Sequence, residues 1–154
     1  MSEQLRFNTG KVQWHYWLST VASTWNIESE VLDRDTCLDA LSRFARGVYP
    51  PEALLHAVFT SVPDAPRLYC LACMKGAEKY ERGNFRLGAP VSQFVDSAAR
   101  HILAPEEIDP ESNLPHIAHF VWNVVQIYEN MFYNPSRDDR LFHCGFYGKE
   151  EKQD

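Results

Sequence analysis

The chain of 154 residues contains no apolar run approaching the ~20 residues that a membrane span needs, so no transmembrane helix is expected. Its opening, MSEQLRFNTGK, has no apolar core of the kind a secretory signal carries, and a cytoplasmic location is expected. There its four cysteines should stay reduced. Cys70 and Cys73 share a CxxC spacing, but no second such pair exists, and only His143-Cys144 could complete a zinc site. Among Leu, Ala and Met neighbours the two thiols read as small buried core groups. Basic residues are also short: 15 Lys and Arg against 21 Asp and Glu give a net charge of −6. Nonspecific nucleic-acid binding needs clustered cations, so no nucleic-acid partner is expected. The phosphate cradles GxxxxGK[ST] and GxGxxG are missing, and no sequence context singles out a serine or cysteine nucleophile. No repeat or low-complexity run is visible, and no alternating run is long enough to argue for a sheet.

What the chain does have is globular composition, 45% hydrophobic and 13% aromatic, spread over helical patterns. After an aromatic stretch of unclear period (12–25), Asp35 is placed to cap a helix running to Phe44 or Ala45, with Gly47 as its stop. Pro50-Pro51 opens a second helix, PEALLHAVF. A proline-rich turn at 62–66 leads to a third, RLYCLACMKGAEKY, with Leu68, Leu71 and Met74 inward and Glu78 close to that face. A fourth, VSQFVDSAARHIL, carries the apolar stripe Val91, Phe94, Val95, Ala98 and Ile102. Asp96 and Arg100 are expected to form an i, i+4 ion pair on its outer face. The fold class is therefore all-α, an antiparallel bundle of four to five helices in a single domain of residues 1–148, with 149–154 a disordered tail.

The most informative segment is HIAHFVWNVVQIYENM, from His116 to Met131. At about 100° per residue, His116, His119, Asn123, Gln126 and Asn130 form one narrow polar stripe, and apolar residues take nearly all the remaining surface. A solvent-facing stripe usually carries Lys and Glu, whereas this one holds only groups that hydrogen-bond or ligate without fixed charge. It is expected to face something polar and specific, a nucleotide base, a metal or a partner network, the bland alternative being an ordinary amphipathic helix whose wet face lacks charge. Immediately before it lies an acidic loop with Glu106, Glu107, Asp109 and Glu111. Hard divalent cations take carboxylate oxygens of this kind and bridge them to phosphates. Each acid taken alone reads equally well as a solvated or capping carboxylate.

Taken together, RFNTGK near the start, GAEKYERGNF at 76–85, DSAARHILA at 96–104 and DPESNLPHIAHFVWN at 109–123 resemble the phage dATP/dGTP diphosphohydrolase family, placed with the MazG-like all-α NTP pyrophosphatases. The resemblance covers the first dozen residues and about 65–130, and leaves 14–64 as a divergent or inserted region. It implies hydrolysis of a purine deoxynucleoside triphosphate to monophosphate and pyrophosphate with Mg²⁺ or Mn²⁺, in the host cytoplasm if the chain is phage-encoded. By the same resemblance Glu78 and His101 are the catalytic candidates. Glu78, Asp109 and Glu111 are the metal ligands, and Lys11, Lys79, Tyr80, Asn84, Arg100, His116, His119 and Asn123 contact substrate. Glu81 and Arg82 stand where the family turns with glycine. Asn113 replaces a glycine after Glu-Ser, and asparagine tolerates the left-handed backbone such a turn needs. A nucleotide-sequestering protein of the same fold, keeping the cations but lacking a full acidic quartet, is the alternative function. With four Trp, seven Tyr and nine Phe, a homo-oligomer is also expected.

Overall fold

The computed structural model describes residues 11–24, 29–78 and 88–141. Among these the fold is all-α. The helices are α1 (His15–Leu18), α2 (Arg34–Ala45), α3 (Pro51–Phe59), α4 (Ala65–Ala77), α5 (Val91–Ile102) and α6 (His116–Tyr133). Single 3₁₀ turns follow α1 at Val21–Thr24 and α6 at Pro135–Arg137. No described helix is long and apolar enough to cross a membrane.

Local signals explain the boundaries. Asp33, rather than Asp35, caps α2: its carboxylate accepts from the Thr36 backbone N–H at 3.0 Å, because only the residue just before the first turn can reach the free amides. Gly47 (φ 80°) ends that helix in the left-handed region. Pro51 and Pro66 stand in the first turns of α3 and α4, where a missing N–H costs nothing.

α6 is the axis of the core. Its Ile117, Ala118, Phe120, Val121, Val124, Val125 and Ile127 are all buried and pack against α3, α4 and α5. The α3 residues Leu54, Leu55, Val58 and Phe59 are wholly buried, so this segment is integral to the core rather than inserted. The aromatic stretch near the N-terminus joins the same core through Trp17, which stacks on Phe59 (5.2 Å between centroids) and meets the Tyr69 ring edge-on (5.7 Å). On α4 the inward side is Leu68, Tyr69, Cys70, Ala72 and Cys73, while Leu71 and Met74 are half-buried against it. Cys70 and Cys73 are buried thiols in no disulfide, and burial pushes the Cys70 thiol up to about 11, against a hydrogen bond from the Trp17 backbone. A neutral thiol in a helix core is neither a nucleophile nor a ready metal ligand.

Helices α5 and α6 run antiparallel. Going down α5 the partners climb α6: His101 meets His116, and Ser97 meets Asn123. The connecting loop is more ordered than an acidic run suggests. It forms a two-residue antiparallel ladder, Ile108 opposite Pro115 and Asp109 opposite Leu114, closed by Asn113 N–H donating to the Asp109 carbonyl at 2.7 Å. The turn needs a left-handed residue, and Asn113 supplies it with φ 62°. Two strand residues are too few to leave an alternating pattern in sequence.

Candidate functional site

The α5–α6 hairpin brings three imidazoles together. His101 from the last turn of α5 stacks on His119 at 4.8 Å and lies tilted against His116 at 5.1 Å between ring centroids. His116 and His119 sit one turn apart at the start of α6, where the ladder delivers the chain, so their proximity follows from helical spacing. His101 Nδ1 and His116 Nδ1 are 2.9 Å apart and share one hydrogen bond.

A second arm runs through the loop. Ser112 Oγ lies 2.6 Å from His119 Nε2 and 2.8 Å from Asp109 Oδ2, and it also accepts from the Leu114 N–H at 3.2 Å. One proton arrangement satisfies all three contacts: His119 Nε2–H donates to the hydroxyl, and the hydroxyl donates to the carboxylate. Asp109 Oδ1 accepts from the Glu111 N–H at 3.3 Å. Serine, histidine and aspartate are all present, yet the carboxylate stands 3.4 Å from the same Nε2 that faces the serine. A nucleophile's triad has it on the other ring nitrogen, so the group fixes His119 and does not activate Ser112.

The electrostatics follow from this packing. Burial pushes His101 down to about 4, with the neighbouring His119 and His116 adding to the shift and Asp109 opposing it. Burial also lowers His119, again against the pull of Asp109. Asp109 itself is disfavoured as an anion by burial, but the Ser112 and Glu111 hydrogen bonds and the nearby imidazoles together hold it below the usual range. At neutral pH His101 and His119 are therefore neutral imidazoles beside the Asp109 carboxylate. Arg100, the residue before His101, is exposed, and no ion pair joins it to Asp96, so the expected surface pair does not form and a guanidinium stays available at the rim.

The rest of the polar stripe is core. Asn123 is buried and donates through Nδ2 to Ser97 Oγ (3.1 Å) and to the His119 carbonyl (2.8 Å). Asn130 donates to the Gln126 carbonyl at 2.9 Å, and its Oδ1 lies 3.2 Å from where a Cβ on Gly88 (φ 85°) would stand. The stripe thus divides into a histidine end that meets the loop and an amide end that knits α6 to its neighbours. Sequence periodicity reads both ends alike, because it reports a face and not what covers it. Ser97 gives no signal of its own in sequence, since it acts through a partner that only the fold brings near, whereas Ser112 stands in the acidic loop motif that carries the family resemblance.

Other expected positions lie apart or outside. Glu78 caps the end of α4 with an exposed side chain, 3.5 Å from Lys75 Nζ. Helical periodicity pointed it inward, but α4 ends one residue earlier. Lys11 is exposed near the N-terminus. Lys79, Tyr80 and Asn84 fall outside the described residues, as do Glu81, Arg82, Cys144 and the 149–154 tail. Among the described residues no three His, Cys, Asp or Glu side chains form a group able to hold a metal, so Glu78, Asp109 and Glu111 are not brought together as ligands. Asp109 is instead engaged by the Glu111 N–H and the Ser112 hydroxyl, and Glu78 by Lys75.

A family model described as dATP/dGTP diphosphohydrolase, N-terminal, matches residues 42–140, more than half of the chain. The chain belongs to this family. No curated protein and no solved structure matches it. The match to the dATP/dGTP diphosphohydrolase N-terminal family takes in the whole histidine cluster, its loop and Arg100. It begins inside α2, so residues 42–64 belong to the family segment, as their burial requires, and Lys11 lies before it.

Proposed function

We propose that the chain hydrolyses a purine deoxynucleoside triphosphate, dATP or dGTP, to the monophosphate and pyrophosphate. The family match supports the reaction class, and the observation that carries the location is the closed cluster of His101, His116, His119, Ser112 and Asp109 within the matched segment. Arg100 is the cation placed to take phosphate oxygens, for which a guanidinium is suited by its bidentate geometry. A neutral His101 is in the form that accepts a proton from attacking water. His119, held by Ser112 and Asp109, fixes the wall on which His101 stacks. Lys79, Tyr80 and Asn84 complete the substrate contacts in this reading.

The requirement for Mg²⁺ or Mn²⁺ rests on the resemblance alone, and no step above runs through a metal. A specific observation favours the second reading, a nucleotide-binding protein without turnover: the described carboxylates do not assemble around one point. One experiment separates the two. Purified chain is incubated with each NTP and dNTP in Mg²⁺, Mn²⁺ or EDTA, and the products are resolved. Monophosphate and pyrophosphate from a purine dNTP support the enzyme. Tight binding with the nucleotide returned intact under every condition supports the binding protein.

Self-association is part of the same proposal. Trp14, Leu18, Phe132 and Tyr133 are exposed apolar or aromatic side chains on the described surface. Light scattering that gives the mass of one 17.8 kDa chain at micromolar concentration would remove it.

A further inference from the structure

Glu106 lies in the α5–α6 loop with an exposed carboxylate, and its Oε1 stands 3.3 Å from His116 Nε2. The His116 ring is buried, and its Nε2 has no hydrogen-bond partner of good geometry among the described residues. The Glu106 carboxylate is therefore a charge beside this nitrogen, off the N–H axis, and it acts on the ring through its field. On the opposite edge of the same ring, His116 Nδ1 is 2.9 Å from His101 Nδ1. Two ring nitrogens approach this closely only when one carries a hydrogen and the other a lone pair.

With both rings neutral, two arrangements exist. In the first, His101 Nδ1–H donates to His116 Nδ1, and the His116 proton sits on Nε2, beside Glu106. In the second, His116 Nδ1–H donates to His101 Nδ1, and His116 Nε2 holds a buried lone pair beside a carboxylate. The second sets two negative poles 3.3 Å apart without a proton between them. The first is attractive at both ends of the ring. It leaves the lone pair of His101 on Nε2. The other charged and titratable groups around the pair do not reverse this choice. His119 is held through its own Nε2 by Ser112, Asp109 contacts that serine, and Arg100 and Glu111 are exposed.

We propose that Glu106 is a positioning residue: by fixing the proton of His116 on Nε2, it sets the tautomer of His101 and leaves His101 Nε2 as the proton acceptor of the site. The use of that acceptor in hydrolysis rests on the proposed function, whereas the tautomers do not. Neither the family match nor the reading of the acidic loop as metal ligands gives Glu106 this part.

Long-range ¹H–¹⁵N spectra of the imidazoles, recorded near pH 7.5 on wild type, Glu106→Ala and Glu107→Ala, test the assignment. In wild type His116 should appear as the Nε2–H form and His101 as the Nδ1–H form, the reverse of the form imidazole favours in water. In Glu106→Ala the His101 signals should move toward the Nε2–H form. Glu107→Ala removes a neighbouring exposed charge and should leave both rings as in wild type. Circular dichroism identical to wild type in both variants confirms that the fold is kept. His101 found as Nε2–H in wild type, tautomers unchanged in Glu106→Ala, or equal shifts in Glu107→Ala would each overturn the proposal. If the chain hydrolyses dNTPs, Glu106→Ala should lower kcat by about 10²-fold with KM changed far less. An unchanged kcat alongside the shifted tautomer would refute the role of His101 Nε2 while leaving the tautomer assignment standing. Absence of hydrolysis in wild type would refute the proposed function and leave the spectra to decide the tautomers.

Discussion

An imidazole held at about 4 binds fewer protons in the folded chain than in the unfolded one, where its ordinary value is 6.5. Between those two values the unfolded state carries more protons, so stability rises with pH across the window and is lost as pH falls through it. Burial of His119 acts in the same direction, and Asp109 adds a loss at still lower pH, below its ordinary 3.8. Thermal melts from pH 7 to pH 4 should therefore show Tm falling through this range, and His101→Gln should flatten the fall. An equal slope in the variant would mean that the histidine is not buried as described. Asn123 is expected to behave as core. Asn123→Ala removes the donor to the Ser97 hydroxyl and the second donor to the His119 carbonyl, at a cost of about 1–3 kcal/mol in chemical denaturation. A hydrated pocket residue would instead leave stability unchanged while weakening nucleotide binding. Periodicity marked His119 and Asn123 as equivalent positions. Only what each side chain meets, Ser112 and Asp109 in the loop for His119 and Ser97 on α5 for Asn123, separates a site residue from a buried network.

At the level of elements the helices were legible wherever a proline opened them or an apolar stripe repeated. α3 begins at Pro51, and α6 begins right after Pro115, in agreement with the sequence. Capping chemistry shifted α2 by a residue or two, because Asp33 and Asp35 are both acceptable acids in composition and only Asp33 reaches the Thr36 amide. The segment after α6 is a strap. Asp139 accepts from the Ser92 N–H (2.8 Å) and hydroxyl (2.6 Å) at the start of α5. Arg140, with Asp138 paired to its Nε and Nη2 at 2.8 and 2.7 Å, donates Nη1 to the Phe44 carbonyl at the end of α2 and lies 4.2 Å over the Phe44 ring. Both partners of the pair are only 9% exposed at the side chain. Removing one partner leaves the other charge buried, so Arg140→Ala should destabilise by about 3–5 kcal/mol in urea, and the double change with Asp138→Ala should recover part of that loss. A loss below about 1 kcal/mol would show that the strap does not hold α2 to α5 in solution. No hydrophobic pattern could announce it, since its energy lies in charges that only the fold buries.

For the molecule as a whole, the all-α class followed from the chain's periodicities, and the family followed from motifs that lie far apart in sequence. The resemblance was placed from 65 onward, yet the family match reaches back to 42, because the helices before 65 carry the core and not the motifs. Of the candidate positions, His101, His116, His119 and Asp109 converge, with Glu111 beside Asp109 in the loop, whereas Glu78 sits at the end of α4 next to Lys75. The account's central claim is that the nucleotide sits at the histidine cluster on the α5–α6 hairpin. The chain has six histidines, and His15 and His56 are exposed on α1 and α3, outside that hairpin. The direct measurement is a titration with a dATP or dGTP analogue that cannot be cleaved between the α and β phosphates, followed through the histidine ring resonances. The account expects His101, His116 and His119 to shift together and saturate with the calorimetric affinity, while His15 and His56 stay in place. Calorimetric binding that moves none of the three cluster histidines would contradict it.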